Sequence, residues 1–310
     1  MSGIVNFINN KKFLNNHINN YSRINFSFYK YFYVKDVIKM KNKFQKYFKK
    51  LNIFGRIYIS KEGVNVQANI LKKFFKKMKQ YIYKFDINLN KIYINIGLDN
   101  LKQSFFKLKI KIKKKLVSDN LNIDNFYKNY KKKYLNSLQV NYFLNDKSVI
   151  FIDVRNYYEY KIGHFKKAIS IYSLTFRDQL KNVIKYIKKY KKNKIVIYCT
   201  GGIRCEKIAY LMNFYGHKKV YQIHGGIIGY VNDCLKKKIP IKFLGKNFVF
   251  DFRLYETISK DVLSNCYQCN KNSDYYVNCM NNRCNLLFIQ CLSCSKIYQS
   301  FCSKKCYIEN

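Results

Sequence analysis

The sequence predicts an α/β chain in three parts: an α+β domain with a mostly antiparallel sheet, a doubly wound parallel sheet, and a small cysteine-rich metal module. Three observations carry this. Apolar patterns of strand and helix period follow the order β-α-β-β-α-β up to about residue 113. Continuous apolar strand runs then alternate with helical patterns, as in a parallel sheet covered on both faces. Finally, eight cysteines in closely spaced pairs crowd between Cys266 and Cys306. With 310 residues the chain can build two or three ordinary cores.

Residues 1 to about 24 are rich in Asn and Lys and define no element. Residues 26–34 read as a buried strand by their aromatic density. Residues 37–51 repeat Val37, Ile38, Phe44, Phe48 and Leu51 at helical spacing. A strand over 55–60, a turn at Glu62-Gly63 and a returning strand over 64–67 form a hairpin, with Lys61-Glu62-Gly63 placed to reach a neighbouring domain. A second helix covers 71–83, and strands cover 92–96 and 105–112. This is the order of a ferredoxin-like α+β domain, with helices on one face of the sheet, assigned to residues 1–113. Its last strand sets Lys107, Lys109, Lys111 and Lys113 against Leu108, Ile110 and Ile112 on the other face. That strip is either a charge-protected edge or a basic surface for an RNA backbone. Residues 114–133 carry no period and read as a linker.

The middle domain is assigned to 134–245. A helix over 135–144 precedes a strand over 149–154, which ends in Asp153-Val154-Arg155; Glu159 and Gly163-His164 follow. After a helix over 178–190, a strand over 195–198 runs into Cys199, and the helical pattern 208–212 follows. A strand over 219–223 ends in His224-Gly225-Gly226. All three motifs fall at the C-terminal ends of parallel strands, where doubly wound sheets place their sites. The backbone N–H groups of Thr200, Gly201, Gly202 and Ile203, backed by a helix N-terminus, form a binding cradle that favours negative charge. Cys199 at its mouth is then an acidic, nucleophilic thiol, and Arg204 adds a charge that never titrates. Cys205, six positions on, is either a resolving thiol or a packed one. Asp153 and Arg155 either pair with each other or brace the loop. The candidate catalytic set is Cys199, Arg204, Cys205, Asp153 and Arg155. His164 and His224 read as turn-holding residues, and Cys234 as a small buried hydrophobe.

The last part, 246–310, continues an extended stretch opened by Pro240, the only proline. Its cysteines fall as Cys266-x2-Cys269, Cys279-x4-Cys284, Cys291-x2-Cys294 and Cys302-x3-Cys306. Four such pairs suit two tetrahedral all-thiolate zinc sites. Sequential and crossed pairing both fit the spacing. An all-thiolate zinc has no open position, so its role is structural, and a module this short needs it to fold.

The formal charge is +43, from 60 Lys+Arg against 17 Asp+Glu. Counterion release makes such a surface a binder of polyanions, but the wealth of Lys, Asn, Ile and Tyr also fits drift toward A/T-rich codons. Against that drift the scarce types stand out: only seven arginines are present, and of the twelve glycines Gly201, Gly202, Gly225, Gly226 and Gly229 fall within one short span. No secretory leader or run of apolar residues long enough to span a membrane is visible. A cytoplasmic protein with reduced thiols is expected, which disfavours disulfides.

The set Asp153-x-Arg155, Glu159, Gly163-His164, Cys199-x-x-Gly202-x-Arg204 and Gly225-Gly226 resembles a rhodanese domain, in which the cysteine at the position of Cys199 carries sulfur as a persulfide. With Gly55-Arg56-Ile57-Tyr58-Ile59-Ser60-Lys61-Glu62-Gly63 and the C-terminal cysteines, the chain is similar over residues 25–306 to the rhodanese-like tRNA uridine hydroxylases. The resemblance implies 5-hydroxylation of the wobble uridine in the tRNA anticodon loop, with molecular oxygen as co-substrate. The family usually has an acidic residue where Phe252 stands. Neither a two-His-one-carboxylate set nor a dinucleotide fingerprint names an oxygen activator. Two other readings stand beside it: a sulfurtransferase working through the same Cys199 as a persulfide, and a non-catalytic RNA-binding adaptor that would need the lysine strips and not Cys199.

Overall fold

A computed structural model describes residues 22–98, 103–119, 131–173 and 175–309. Strand β1 (Arg23–Tyr31) leads into α1 (Val37–Lys50), the hairpin of β2 (Phe54–Ser60) and β3 (Gly63–Leu71), and α2 (Phe75–Phe85). Phe26 and Phe28 of β1 enter a core with Phe44 and Phe48 of α1 and Met78 and Ile82 of α2. Asp36 starts α1 by accepting the Lys39 N–H, one of the donors that a helix start leaves unpaired. Strand β3 runs well past 67, to Leu71, because β1 offers a partner along its whole length, from Tyr31↔Gly63 to Arg23↔Leu71. The second helix therefore starts later than residue 71.

A short β4 (Asn95–Ile96) pairs with β1, and β5 (Leu108–Ile112) pairs parallel with β2, giving the order β4-β1-β3-β2-β5. The ferredoxin-like sheet is complete in β4-β1-β3-β2. The stretch expected as its last strand is thus an added edge strand. Leu108 and Ile110 pack on the core while Lys109 and Lys111 are exposed, so apolar anchoring holds the edge and charge bars further pairing. Residues 1–21 lie outside the described residues. So do residues 120–130 of the expected linker, whose Leu116 and Asp119 are buried.

The second unit opens with β6 (Tyr134–Leu135) and α3 (Ser137–Asn145), whose start is a capping box of Asn136 and Gln139. Then come β7 (Ile150–Asp153), α4 (Tyr157–Lys161), β8 (Gly163–Phe165), β9 (Ile169–Ser170) and α5 (Phe176–Ile187). The chain continues through β10 (Ile195–Tyr198), α6 (Ile203–Phe214), β11 (Val220–Ile223) and α7 (Gly226–Lys237). The sheet β6-β11-β10-β7-β9 is parallel throughout. Central β10 alternates between two cores. Val196 and Tyr198 meet Val140 of α3 and Ile227 and Val231 of α7, whereas Ile195 and Ile197 meet Leu180 and Val183 of α5 and Ile208 of α6. Each such side chain, fully removed from water, contributes about 1.5–3 kcal/mol, so this strand and the loop that leaves it are held on both sides.

Strand β12 (Phe243–Phe248) lies between β8 and β13 (Tyr255–Thr257) in a small antiparallel sheet. The C-terminal module has a two-stranded ribbon, β14 (Tyr276–Asn278) and β15 (Leu287–Ile289), with helices α8 (Leu292–Tyr298) and α9 (Lys304–Ile308). No helix of the described residues is long and apolar enough to cross a membrane.

Candidate active site

Cys199 leaves the end of β10 and is 1% exposed. The next three residues turn so tightly that Gly202 sits at φ 103°, a conformation that L side chains rarely adopt. A Cβ there would also lie 2.8 Å from the Tyr29 hydroxyl. The turn aims the Gly202 N–H at the Cys199 Sγ, 3.1 Å away. Behind the loop, the first amides of α7 are already engaged: Ile227 N–H donates to the Cys199 carbonyl at 3.0 Å and Ile228 N–H to the Thr200 carbonyl at 3.2 Å. Gly226, at φ 65°, lets that contact form, since a Cβ would fall 2.4 Å from the Cys199 carbonyl oxygen.

Arg204, in the first turn of α6, is clamped by Glu159 of α4, with Nη1 and Nη2 donating to the two carboxylate oxygens at 2.5 and 2.8 Å. Both groups are buried, so the guanidinium cannot swing away from the loop. Cys205 is fully buried in the core between β10 and α6 and donates to Cys199. Burial pushes the Cys199 thiol up, but the Cys205 thiol, the Arg204 charge and the N–H groups of Arg204 and Gly202 outweigh it and bring the thiol down to about 6. The same contact, with burial, holds Cys205 well above its ordinary range. A thiolate beside a thiol is the ionisation state that a nucleophile requires.

Cys199, Arg204 and Cys205 thus lie together, with the N–H groups of Gly202 and Arg204 on the sulfur, while Thr200, Gly201 and Ile203 form the same turn. Asp153 and Arg155 do not join them. The Arg155 Nε donates to Asp153 Oδ1 at 2.9 Å, and Nη2 donates to Asp153 Oδ2 and the Gly163 carbonyl, both at 2.6 Å. Of the two alternatives the mutual pair is what forms, and it braces the turn into β8. His164 stacks on Tyr160 and its Nδ1 meets the Tyr160 carbonyl at 2.9 Å. Cys234 is buried in the core under α7.

Three groups at the site escaped sequence reasoning. Glu206 is 2% exposed and accepts from the hydroxyls of Tyr29 at 3.2 Å and Tyr134 at 2.5 Å, and pairs with Lys132 at 2.7 Å. Lys207 is buried against Glu62 and Asp119, so the 61–63 turn does reach its neighbour. Most important, the N-terminal sheet forms a wall of the site. A cavity of about 300 Å³ lies between its helix-free face and the Cys199 loop, with Asp251 and Arg253 at its side. The available signal was the rarity of acids in a chain with only 17. Phe252, at the position where an acid was expected, packs edge-on against Phe106, between Asp251 and Arg253, which pair at 2.6 Å.

The C-terminal cysteines pair in the crossed sense. The sulfurs of Cys266, Cys269, Cys291 and Cys294 lie within 4.8 Å of one another, as do those of Cys279, Cys284, Cys302 and Cys306. Tetrahedral zinc with bonds of about 2.3 Å needs sulfur separations of about 3.8 Å; Cys269–Cys291 is 3.6 Å and Cys284–Cys302 3.7 Å. Backbone N–H groups of Cys291 and Cys302 point at the sulfurs of Cys266 and Cys279 at 3.3 and 3.4 Å, which favours thiolates. Either set fits a divalent ion that prefers sulfur.

The Rhodanese-like domain model matches residues 139–233, the UPF0176 acylphosphatase like domain model residues 23–116, and the Rhodanase C-terminal model residues 244–307. A tRNA uridine(34) hydroxylase of Buchnera aphidicola subsp. Acyrthosiphon pisum is 51% identical over 284 residues, covering 92% of this chain and 87% of its own. The chain belongs to the tRNA uridine(34) hydroxylase family. The Schizaphis graminum Buchnera member is 48% identical over 309 residues, 99% of this chain and 98% of its own. The Escherichia fergusonii member is 42% identical over 291 residues, covering 94% and 83%. Among solved structures, a rhodanese-like domain from Anabaena sp. aligns with a TM-score of 0.30 and 17% identity, over 37% of this chain and 80% of that one.

Proposed function

We propose that this protein catalyses oxygen-dependent 5-hydroxylation of uridine 34 in tRNA, with Cys199, as thiolate or persulfide, as the reacting group. The observation that carries the reading is the placement of an acidic thiol on the floor of a cavity, in a chain half identical to a named uridine hydroxylase over nearly its whole length. Unstacked anticodon-loop bases are what a protein can draw into such a cavity. Arg204 fixes the charge beside the thiolate, Cys205 holds its ionisation, and the amides from Thr200 to Ile203 cradle the anion. Asp153 and Arg155 act as positioning residues for the β7–β8 turn. We assign the domains to 1–113, 134–245 and 246–310, and place the protein in the cytoplasm with its substrate.

Zinc is the ion we assign to both cysteine sets, where it would cross-link the module. The sulfurtransferase reading is kept by the same Cys199 loop, which suits a persulfide anion equally. Expressed in a bacterium lacking its own uridine 34 hydroxylation, the wild type should restore 5-hydroxyuridine and Cys199→Ala should not. Restoration by the Cys199→Ala variant would sink the proposal; a lost thiolated nucleoside instead would favour sulfur transfer.

A further inference from the structure

The helix-free face of the N-terminal sheet is built differently from an ordinary solvated face. The register sets Tyr29, Asn65 and Tyr58 in one row across β1, β3 and β2, and Ser27, Gln67 and Arg56 in the next. Alternation puts all six on the face opposite the α1–α2 core, and all six line the cavity above Cys199. They are half-buried. Among the described residues the side-chain amides of Asn65 and Gln67 have no hydrogen-bond partner, although the sheet is fastened over the loop by Tyr29 to Glu206 at 3.2 Å, Tyr31 to the Ile203 carbonyl at 3.3 Å and Asn95 to the Gly225 carbonyl at 3.1 Å. A face pinned over a reactive thiol while leaving two amides unpartnered is arranged for a ligand with hydrogen-bonding edges, since such groups are costly to enclose unpaired.

We infer that this face is the base-reading wall of the site: Asn65, Gln67 and Arg56 grip the Watson–Crick edge of a uracil, and Tyr58 or Tyr29 stacks on its ring. The inference rests on the functional reading above and deepens it. Three chemical facts support it. First, the edge carrying O2, N3–H and O4 lies across the ring from C5 and C6, so gripping it from the sheet directs C5 toward the opposite wall, where Cys199 stands. Second, an amide supplies both a donor and an acceptor, matching the acceptor–donor–acceptor edge of uracil, whereas a guanidinium supplies donors only. Arg56 therefore accommodates the O4 carbonyl of uracil and opposes the amino group of cytosine. Third, about 300 Å³ is at the small end of ligand pockets, which begin at about 300 Å³, as suits one everted pyrimidine.

The test uses the full chain and anticodon stem-loop RNAs with uridine or cytidine at position 34, read by fluorescence anisotropy, alongside nucleoside mass spectrometry in the complemented strain. Wild type should bind the uridine RNA more tightly than the cytidine RNA. The double variant Asn65→Ala/Gln67→Ala should lose about tenfold to a hundredfold of uridine affinity, the range for a lost base contact, and most of the discrimination. Cys199→Ala should bind like wild type. Gln67→Glu, which keeps size but removes the donors, should weaken uridine binding in the same direction and serves if the double variant fails to fold. Hydroxylation by wild type together with undiminished discrimination in the folded variants would overturn this inference alone. Absence of hydroxyuridine with wild type would overturn the functional reading, and this one with it.

Discussion

Replacing Cys205 by alanine should raise the ionisation midpoint of Cys199 without disturbing the loop. Cys205 is fully buried and its thiol donates to the Cys199 sulfur, the foremost of the contacts that bring Cys199 down to about 6. A hydrogen bond to a charged group contributes about 1.5–3 kcal/mol, and 1.36 kcal/mol corresponds to one pKa unit, so the midpoint should climb by about 1–2 units. The assay is the pH profile of Cys199 alkylation, followed by peptide mass spectrometry so that the other thiols do not interfere. The midpoint must be read rather than the rate at one pH, because a more basic thiolate is also a better nucleophile and offsets part of the lost ionised fraction. Cys205→Ser, which can still donate, should stay near wild type. The sign also fixes a stability signature. A depressed thiol contributes stability that is complete above the ordinary thiol range and lost as pH falls through about 6. The unfolding free energies of wild type and Cys205→Ala should therefore differ more at about pH 8 than below pH 6. An unmoved midpoint in folded Cys205→Ala, or an equal rise in Cys205→Ser, would refute the reasoning.

Elemental analysis should give about two zinc ions per chain, the number that two four-thiolate sets hold. Cys266→Ser and Cys291→Ser should each empty the same site, and their double variant should lose one ion rather than two; loss of both would restore sequential pairing. Glu159→Gln leaves Arg204 buried against an amide that also donates, and should destabilise the fold by about 3–5 kcal/mol in denaturant titrations. A change under 1 kcal/mol would mean that the 2.5 and 2.8 Å contacts are not maintained in solution.

Legibility in the sequence followed the range of the interaction. The Cys199 loop was readable because a strand, two glycines and a helix start are local, and the cysteine pairs because ligand spacing is local. Scarcity helped too: of the seven arginines, Arg155, Arg204 and Arg253 sit in buried or nearly buried ion pairs and Arg56 lines the cavity. What stayed hidden was tertiary. The partner of Arg155 was left open because Asp153 and the loop are both within reach of a long side chain. The crossed grouping of the cysteines depends on how β14 and β15 fold back. The placement of β5 beside β2 follows from sheet topology, which the alternation of lysine and isoleucine does not specify. Above all, nothing in a half-polar strand pattern tells whether that face meets water or another domain.

That last point makes Lys207 informative. It lies four residues beyond the start of α6 and is 3% exposed, with its ammonium on Glu62 of the β2–β3 turn at 2.8 Å and on Asp119, which also pairs with Lys115 at 3.2 Å. One cation thus ties the helix that follows the Cys199 loop to the sheet proposed to read the base. Lys207→Met would leave the Glu62 and Asp119 carboxylates without the cation they share, although Lys115 still pairs with Asp119 and the Leu116 N–H still donates to Glu62. Breaking a buried pair costs about 3–5 kcal/mol, and here the loss falls at the seam, where Tyr31 and Leu116 pack with Tyr29, Tyr58, Ile203 and Tyr210 in a small cluster separate from the two larger cores. The expected result is specific: Cys199, now 1% exposed, should be alkylated faster in Lys207→Met than in wild type at a pH where both are ionised, while hydroxylation falls. Loss of stability with Cys199 still shielded would place the effect of Lys207 inside the rhodanese domain and not at the seam.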